Sequence, residues 1–355
     1  MVDKVEIFSI FLIHNMKKLL AVFTVLLCGI LGLGAGSAFY IYKQWQQPSP
    51  LKEQLLLEIP KGYGAAQIAR LLQKNGVVES ARSFKWWCTF NPGKANFKTG
   101  WYNIPAGQNM EQIAAILSSG RTATIRVTIP EGRATWEIAG ILAKSPLKLD
   151  SIKLDSLMHS RPFADSLGVK AKDLEGYLLP NTYDFPYETN EQSAVKILVR
   201  ANLKLRDELQ AQSSPVWKEL GDWHRILTMA SVVEEETGLP QERPRIAGVF
   251  LNRFRIGMPL GADPTVRFIF RNLTGPIYKS QLASDNPYNT RKFAGLMPGP
   301  ISNPGRLAIE AVLFPMQTED LYFVAKDDGS REHFFGKTLL EHNAYKGVAA
   351  KNRGE

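Results

Sequence analysis

The phrases Glu58-Ile59-Pro60-Lys61-Gly62, Asn103-Ile104-Pro105-Ala106-Gly107 and Thr128-Ile129-Pro130-Glu131-Gly132 state one pattern three times. Each is followed at the same offset by an Ile-Ala pair (Ile68-Ala69, Ile113-Ala114, Ile138-Ala139) and then by two aliphatics (Leu71-Leu72, Ile116-Leu117, Ile141-Leu142). Proline disfavours helix at the residue before it and glycine tolerates tight backbone geometry, so Ile-Pro-x-Gly reads as a strand end and turn. The aliphatic spacing beyond it predicts a short amphipathic helix. A strand feeding a helix, used repeatedly, makes small α+β modules of the kind found in LysM-like carbohydrate-binding domains; the plainer alternative is a recurring packing solution. Trp86, Trp87, Trp101 and Tyr102 lie between the first two copies, where they suit either stacking on sugar rings or filling a small core.

N-terminal to the repeats, the 24 residues from Leu19 to Tyr42 carry no charge. At about 1.5 Å per residue that run crosses a hydrocarbon core of about 30 Å. Lys17 and Lys18 before it, against Lys43 after it, place the N-terminus in the cytoplasm and the body outside the cytoplasmic (inner) membrane, in the periplasm. Met16 offers a second start besides Met1, and Gly36-Ser37-Ala38 resembles a signal-peptide cleavage site, although a cleavable apolar region usually stops at about 7 to 15 residues. The expected layout is an α+β chain with a cytoplasmic tail (1–18), a single transmembrane helix (19–42), a linker (43–52), a LysM-like module (53–124) and a larger catalytic domain (125–350).

Composition sets bounds on function. With 355 residues, 45% hydrophobic and 22% charged, the chain is long and apolar enough to fold about two domains, which excludes disorder as its main state. Its net charge is +9; setting aside residues 1–42, with Lys4, Lys17 and Lys18 against Asp3 and Glu6, leaves +8 on the rest. That excess suits a membrane surface, an acidic substrate or nucleic acid, but no basic stripe with a nucleic-acid reading element accompanies it. Cys28 and Cys88 are read as unpaired thiols, and five scattered histidines offer no helical pair for zinc. Neither metal nor cofactor is expected.

The segment Ile226-Leu-Thr-Met-Ala-Ser-Val-Val-Glu-Glu-Glu-Thr237 ends an apolar run in three acids. With Ile226 at zero and about 100° per residue, Glu234 falls near ~80°, beside Ala230 and Leu227 on the apolar side. Glu236 falls near ~280°, beside Met229, and Glu235 near ~180°, among Ser231 and Thr228. Glu234 is therefore expected to be the least solvated, with Glu236 next and Glu235 exposed. Desolvation raises a carboxyl pKa, as a general acid near neutral pH requires. The alternative is a helix end whose acids are solvated or paired with Arg243, Arg245 or Arg253.

Met229-Ala-Ser-Val-Val-Glu-Glu-Glu-Thr237, Glu242-Arg243, Val249-Phe-Leu-Asn-Arg253 and Leu260-Gly-Ala-Asp-Pro-Thr-Val266 together closely resemble the YceG-like endolytic murein transglycosylases. The resemblance continues through Glu175-Gly-Tyr-Leu-Leu-Pro-Asn-Thr-Tyr-Asp184, Pro287-Tyr-Asn-Thr290, Gly295-Leu-Met-Pro-Gly-Pro-Ile301 and Leu321-Tyr-Phe-Val-Ala325, over nearly the whole chain. It implies cleavage within peptidoglycan glycan strands between N-acetylmuramic acid and N-acetylglucosamine, with a 1,6-anhydro end as product, ending the growth of nascent strands. One carboxyl, aligned with Glu234, does both proton transfers. The resemblance further implies a supporting role for Glu236 and peptidoglycan synthases as partners; Asp263, Thr265, Tyr288, Asn289 and Tyr183 are candidates for sugar contacts or orientation of Glu234, with a structural role in closing loops as the alternative for each. The family commonly has Gln and then Ser or Thr before Asp-Pro-Thr, where this chain has Gly261 and Ala262, and a proline where it has Met297.

Two rivals belong to other classes. Ser145-Pro-Leu-Lys148, Ser284-Asp-Asn286 and Lys98-Thr-Gly100 copy the signatures of penicillin-binding acyl enzymes, but in the wrong order, and Ser145 follows a helix instead of opening one. A non-catalytic, membrane-tethered peptidoglycan-binding scaffold fits the repeats and anchor equally well. It gives no reason for a carboxyl on an apolar helix face, where an unpaired charge is costly.

Overall fold

The computed structural model describes residues 3–271 and 273–354, with side chains for residue 20 and from residue 22 onward; Met1, one of the two candidate starts, lies outside them. The chain divides into two compact units, Met1–Ala123 and Thr124–Glu355. Helix α1 (Asp3–Gln46) contains a 25-residue stretch, Val22–Gln46, that holds an 18-residue window of mean hydropathy 2.0, long and apolar enough to cross a membrane. It runs four residues past the expected end of the apolar segment, so 43–46 is helix and not linker. The first helix breaker on that side is Pro48, which permits this extension.

The rest of the first unit is β1 (Leu55–Ile59), α2 (Ala65–Lys74), α3 (Ala81–Phe90), β2 (Gly100–Ile104) and α4 (Met110–Ser118). β1 and β2 pair antiparallel, with Leu57 opposite Tyr102. Trp45, near the end of α1, packs on this core, its ring 6.0 Å from that of Phe90.

The second unit begins with the third copy of the phrase, β3 (Thr124–Ile129) and α5 (Thr135–Lys144), followed by α6 (Ser151–Met158), α7 (Arg161–Ser166), β4 (Asn181–Pro186) and α8 (Glu191–Glu208). Helices α9 (Pro215–Leu220), α10 (Trp223–Glu236), α11 (Arg243–Arg255), α12 (Asp263–Ile269), α13 (Lys279–Leu282) and α14 (Arg306–Leu313) come next. The pair β5 (Tyr322–Ala325) and β6 (His333–Gly336) and helix α15 (Leu339–Asn352) complete it. Among the described residues the sheets are three antiparallel pairs, β1–β2, β3–β4 and β5–β6, so the fold is α+β.

All three copies fold alike. The isoleucine before each proline is buried (Ile59, Ile104, Ile129), as are the Ile-Ala pairs and the last aliphatics, Leu72, Leu117 and Leu142. Each strand turns its alternate residues inward, and the helix after the turn lays its stripe on the same core. In the second copy Asn109 and Gln112 cap α4 reciprocally: the Gln112 N–H donates to Asn109 Oδ1 at 3.0 Å, and the Asn109 N–H to Gln112 Oε1 at 2.9 Å.

Helix α10 is the axis of the second unit, packed against α11, α12 and α14. Here the structure departs from the amphipathic projection. Every residue from Ile226 to Val233 is fully buried, Thr228 and Ser231 included. Their hydroxyls are satisfied internally: Thr228 Oγ1 donates to the His224 carbonyl at 2.7 Å and Ser231 Oγ to that of Thr228 at 2.8 Å, while Ser231 Oγ accepts the Ile301 N–H at 3.0 Å. What separates Glu234, Glu235 and Glu236 is therefore the surface each meets where the helix emerges, more than a polar against an apolar side.

Candidate active site

The three glutamates form the last turn of α10 and line an open cleft with Glu131, Gly132 and Arg133 from the β3–α5 turn. Anionic side chains at a helix C-terminus oppose the helix dipole, so this turn stores charge where local preference disfavours it. Two stitches fix the opposite wall. Gly132 N–H donates to the Asn303 carbonyl at 3.1 Å, and the Asn303 N–H to that of Arg133 at 3.0 Å. Gly132 itself has φ +72°, and a Cβ there would stand 2.7 Å from Glu235 Oε1, so the turn needs glycine for both backbone and clearance.

Only 5% of the Glu234 side chain is exposed. Its Oε1 accepts from Arg243 Nη2 at 2.5 Å and its Oε2 from the Gly305 N–H at 2.9 Å. Arg243, near the start of α11, is itself buried, and the same Nη2 reaches Glu131 Oε2 at 3.5 Å. Burial nevertheless wins. It raises the Glu234 pKa against the lowering effect of the Gly305 N–H and Arg243, and the charge of Glu131 adds to the rise. The carboxyl is thus both desolvated and paired, so the alternative of an Arg243 ion pair is part of the geometry and does not cancel the shift.

Glu235 is exposed, as projected, but its carboxyl lies against the Gly132 turn. Desolvation there, with the nearby charges of Glu234 and Glu137, pushes its pKa to about 7. Glu236 is half-buried on the far side and burial pushes it to about 7 as well, helped by Asp263 and opposed by Arg291 and Arg253.

The other sequence candidates divide. Asp263 lines a neighbouring cavity together with Glu236 and is paired with Arg291. Thr265, Asn289 and Tyr183 have polar atoms that the protein itself engages, as the loop-closing alternative has it. Thr265 is fully buried, its hydroxyl on the Ala262 carbonyl at 2.7 Å and 2.9 Å from Thr290 Oγ1. Asn289 is fully buried and donates through Nδ2 to the Leu282 and Ser284 carbonyls at 2.9 Å. Tyr183 donates to the Leu179 carbonyl at 2.6 Å. Tyr288 packs its ring 5.1 Å from that of Phe268, away from the three glutamates' cleft. Among the departures from the family pattern, Gly261 takes φ +69° beside Arg253, and Met297 is buried in the core. Ser145 directs its hydroxyl to the Leu142 carbonyl at 2.7 Å, at the end of α5, unlike an acyl-enzyme nucleophile.

Two members of the cluster escaped the sequence reading. Gly305 carried no signal. Glu131 did: the x of Ile-Pro-x-Gly is Lys61 and Ala106 in the other copies, so an acid appears only in the copy that faces α10.

A buried, donor-held carboxyl borders an open polar cleft in an α+β chain that carries one long apolar helix, an arrangement able to hold and move a proton. Residues 57–347 match the model of the YceG-like family, and the chain belongs to that family. It is 33% identical over 337 residues to the endolytic murein transglycosylase of Bacillus subtilis (strain 168), covering 89% of this chain and 92% of that one. It is 29% identical over 306 residues to the endolytic murein transglycosylase of Streptococcus pneumoniae (strain D39), covering 77% of this chain and 54% of that one, and so matches about half of that relative's length. A crystal structure of a YceG-like protein from Listeria monocytogenes is similar with a TM-score of 0.56 at 32% identity, covering 83% of this chain and 99% of that chain.

Proposed function

We propose that this chain is an endolytic peptidoglycan lytic transglycosylase that cuts between N-acetylmuramic acid and N-acetylglucosamine within glycan strands and leaves 1,6-anhydro ends, terminating nascent strands. The observation that carries the reading is Glu234: a carboxyl 95% withdrawn from solvent at the edge of an open cleft, its pKa raised and both oxygens held by donors. Protonated Glu234 gives its proton to the glycosidic oxygen as the bond to the muramyl anomeric carbon breaks. The resulting carboxylate, steadied by Arg243 Nη2 and the Gly305 N–H, then takes the proton of the muramyl 6-hydroxyl as that oxygen closes on the anomeric carbon. No water is consumed, and a nucleophile already within the sugar removes the need for a second catalytic carboxylate.

On this reading α1 anchors the chain in the cytoplasmic membrane with its N-terminus in the cytoplasm and the catalytic unit in the periplasm, near peptidoglycan synthases. The β1–α2–α3–β2 order of the first unit supports a LysM-like, glycan-binding role for it. Thr265, Tyr288, Asn289 and Tyr183 hold loops, and Asp263 and Glu236 border the strand's path.

The test is product analysis by mass spectrometry after incubation with purified glycan strands. Wild type should release anhydro-ended fragments, and Glu234→Gln should lose about 10²-fold to 10⁴-fold in rate, the usual contribution of a general acid–base group. Glu235→Gln should lose far less. Reducing ends made by water would replace the mechanism with hydrolysis.

A further inference from the structure

Glu236 also lines a second cavity, of about 570 Å³, whose walls come from α11, the Pro259–Asp263 loop, β5 and α15. Its charges are unequally committed. Asp263 and Arg291 neutralise each other. Arg253 donates through Nε to the Leu321 carbonyl at 2.6 Å and through Nη1 to that of Leu260, and lies 5.5 Å from the Tyr322 ring centroid, leaving Nη2 without a hydrogen-bond partner among the described residues. Lys346 on α15 lines the cavity, is exposed, and has no ion pair or hydrogen bond from its side chain among the described residues. The His342 ring sits 5.2 Å from Tyr322 with Nδ1 buried and unpartnered. The positive fields of Lys346 and Arg253 reach it, since after burial they are what lowers its pKa. Phe250, Leu260 and Val324 supply apolar wall.

We propose that this cavity binds a carboxylate of the peptide stem borne by the muramyl residue beside the cleavage site, through Lys346, Arg253 Nη2 and His342. The proposal rests on the transglycosylase reading and makes the site one that selects peptide-bearing over bare strands. A carboxylate fits better than a phosphate. Guanidinium and ammonium donors hold either anion, but the Glu236 carboxyl on the same wall opposes a multiply charged one and can accept an amide N–H that a peptide brings. The apolar wall suits an alanyl methyl group. Sharing Glu236 with the Glu234 cleft sets the cavity one side-chain's reach from the scissile bond.

Calorimetry on the full chain in detergent would compare N-acetylmuramyl-L-alanyl-D-isoglutamate with the same compound amidated at both carboxyls. The free acid should bind about tenfold more tightly, the scale of one charge-assisted hydrogen bond, and Lys346→Gln should erase that difference. Equal binding of acid and amide, or an acid–amide difference that survives Lys346→Gln, overturns the proposal; inorganic pyrophosphate binding more tightly than the acid overturns it in favour of a phosphate site. Turnover gives a second arm: wild type should prefer peptide-bearing to amidase-stripped strands in kcat/KM, and Lys346→Gln should lose the preference through KM. The binding arm needs no cleavage, so an inert wild type would refute the transglycosylase reading while acid–amide discrimination still stood or fell separately.

Discussion

Arg243 stands between two carboxylates, Glu234 at 2.5 Å and Glu131 at 3.5 Å, and that competition tunes the site. Glu131 raises the Glu234 pKa by its charge, and by drawing on the same guanidinium nitrogen it weakens the partner that lowers it. Glu131→Gln removes both effects. The Glu234 pKa should fall, so less of the acid form remains near neutrality, and the alkaline limb of the kcat/KM profile should move to lower pH. Arg243→Met should move that limb the other way; no movement in Glu131→Gln would sink the coupling. Gly305 belongs to the same contest, because a Cβ there would overlap the Glu131 carboxyl. At this scale the sequence was legible where chemistry is local: three consecutive acids after an apolar run marked the place, and the projection singled out Glu234 as the inward one. It was blind to Gly305, a backbone donor that any residue type supplies, and to the Arg243–Glu131 contact across 112 positions.

The elements that hold the cleft are joined by one buried network. Glu175 accepts from the Thr135 N–H and Oγ1 and from Asn303 Nδ2 at 2.9 to 3.2 Å, which caps α5 and ties it to the segment before α14. Asn303 also accepts the Leu178 N–H at 2.8 Å and donates to the Arg133 carbonyl at 2.8 Å. Asn303→Ala would strip buried partners from several of these at once, and at about 1 to 3 kcal/mol for each group left unsatisfied the denaturation midpoint should drop measurably, with Glu131 displaced and activity lost together. Burial pushes Glu175 to about 8, and Glu235 and Glu236 to about 7. With folded values above the ordinary 4.5, the folded chain binds more protons than the unfolded one between 4.5 and 8. Stability from this trio is therefore complete below pH 4.5 and is lost as pH rises through 7 and 8, so thermal midpoints should decline from pH 5 to pH 8; His342, lowered by burial, opposes this only below its ordinary 6.5. A midpoint that climbs over that range would contradict it. The repeat announced β3 and α5 because each copy buries the same positions. The expected layout already set the third copy in the larger domain, from residue 125; what the phrase could not show is the strand that β3 pairs with, since residues 181–186 lie far outside it.

At the scale of the whole chain, the apolar run was legible as a span because length and absence of charge are all a membrane demands. Where the helix ends is a tertiary matter, and the structure carries it past Tyr42. Gln44 Oε1 accepts from Ser83 Oγ at 3.0 Å, Trp45 packs on Phe90, and Gln46 Oε1 accepts from Asn109 Nδ2 at 3.1 Å. The last turn of α1 is thus part of the first unit's fold, linking α3 and the cap of α4 to the apolar part of the helix. A boundary drawn after Tyr42 hides this, because Lys43 reads as the charged edge of a span when it begins the packed turn. Two shortened chains separate the roles. One beginning at Tyr40 removes most of the apolar run and keeps Gln44, Trp45 and Gln46; one beginning at Gln47 removes those three as well. Both should leave the membrane fraction. Only the second should lose stability in the first unit, by about 2 to 4 kcal/mol for a half-buried tryptophan and two hydrogen bonds, read as a lower denaturation midpoint and faster hydrogen exchange in α3 and α4. Equal midpoints and exchange rates would mean that the end of α1 only tethers the unit, and would return residues 43–46 to the linker.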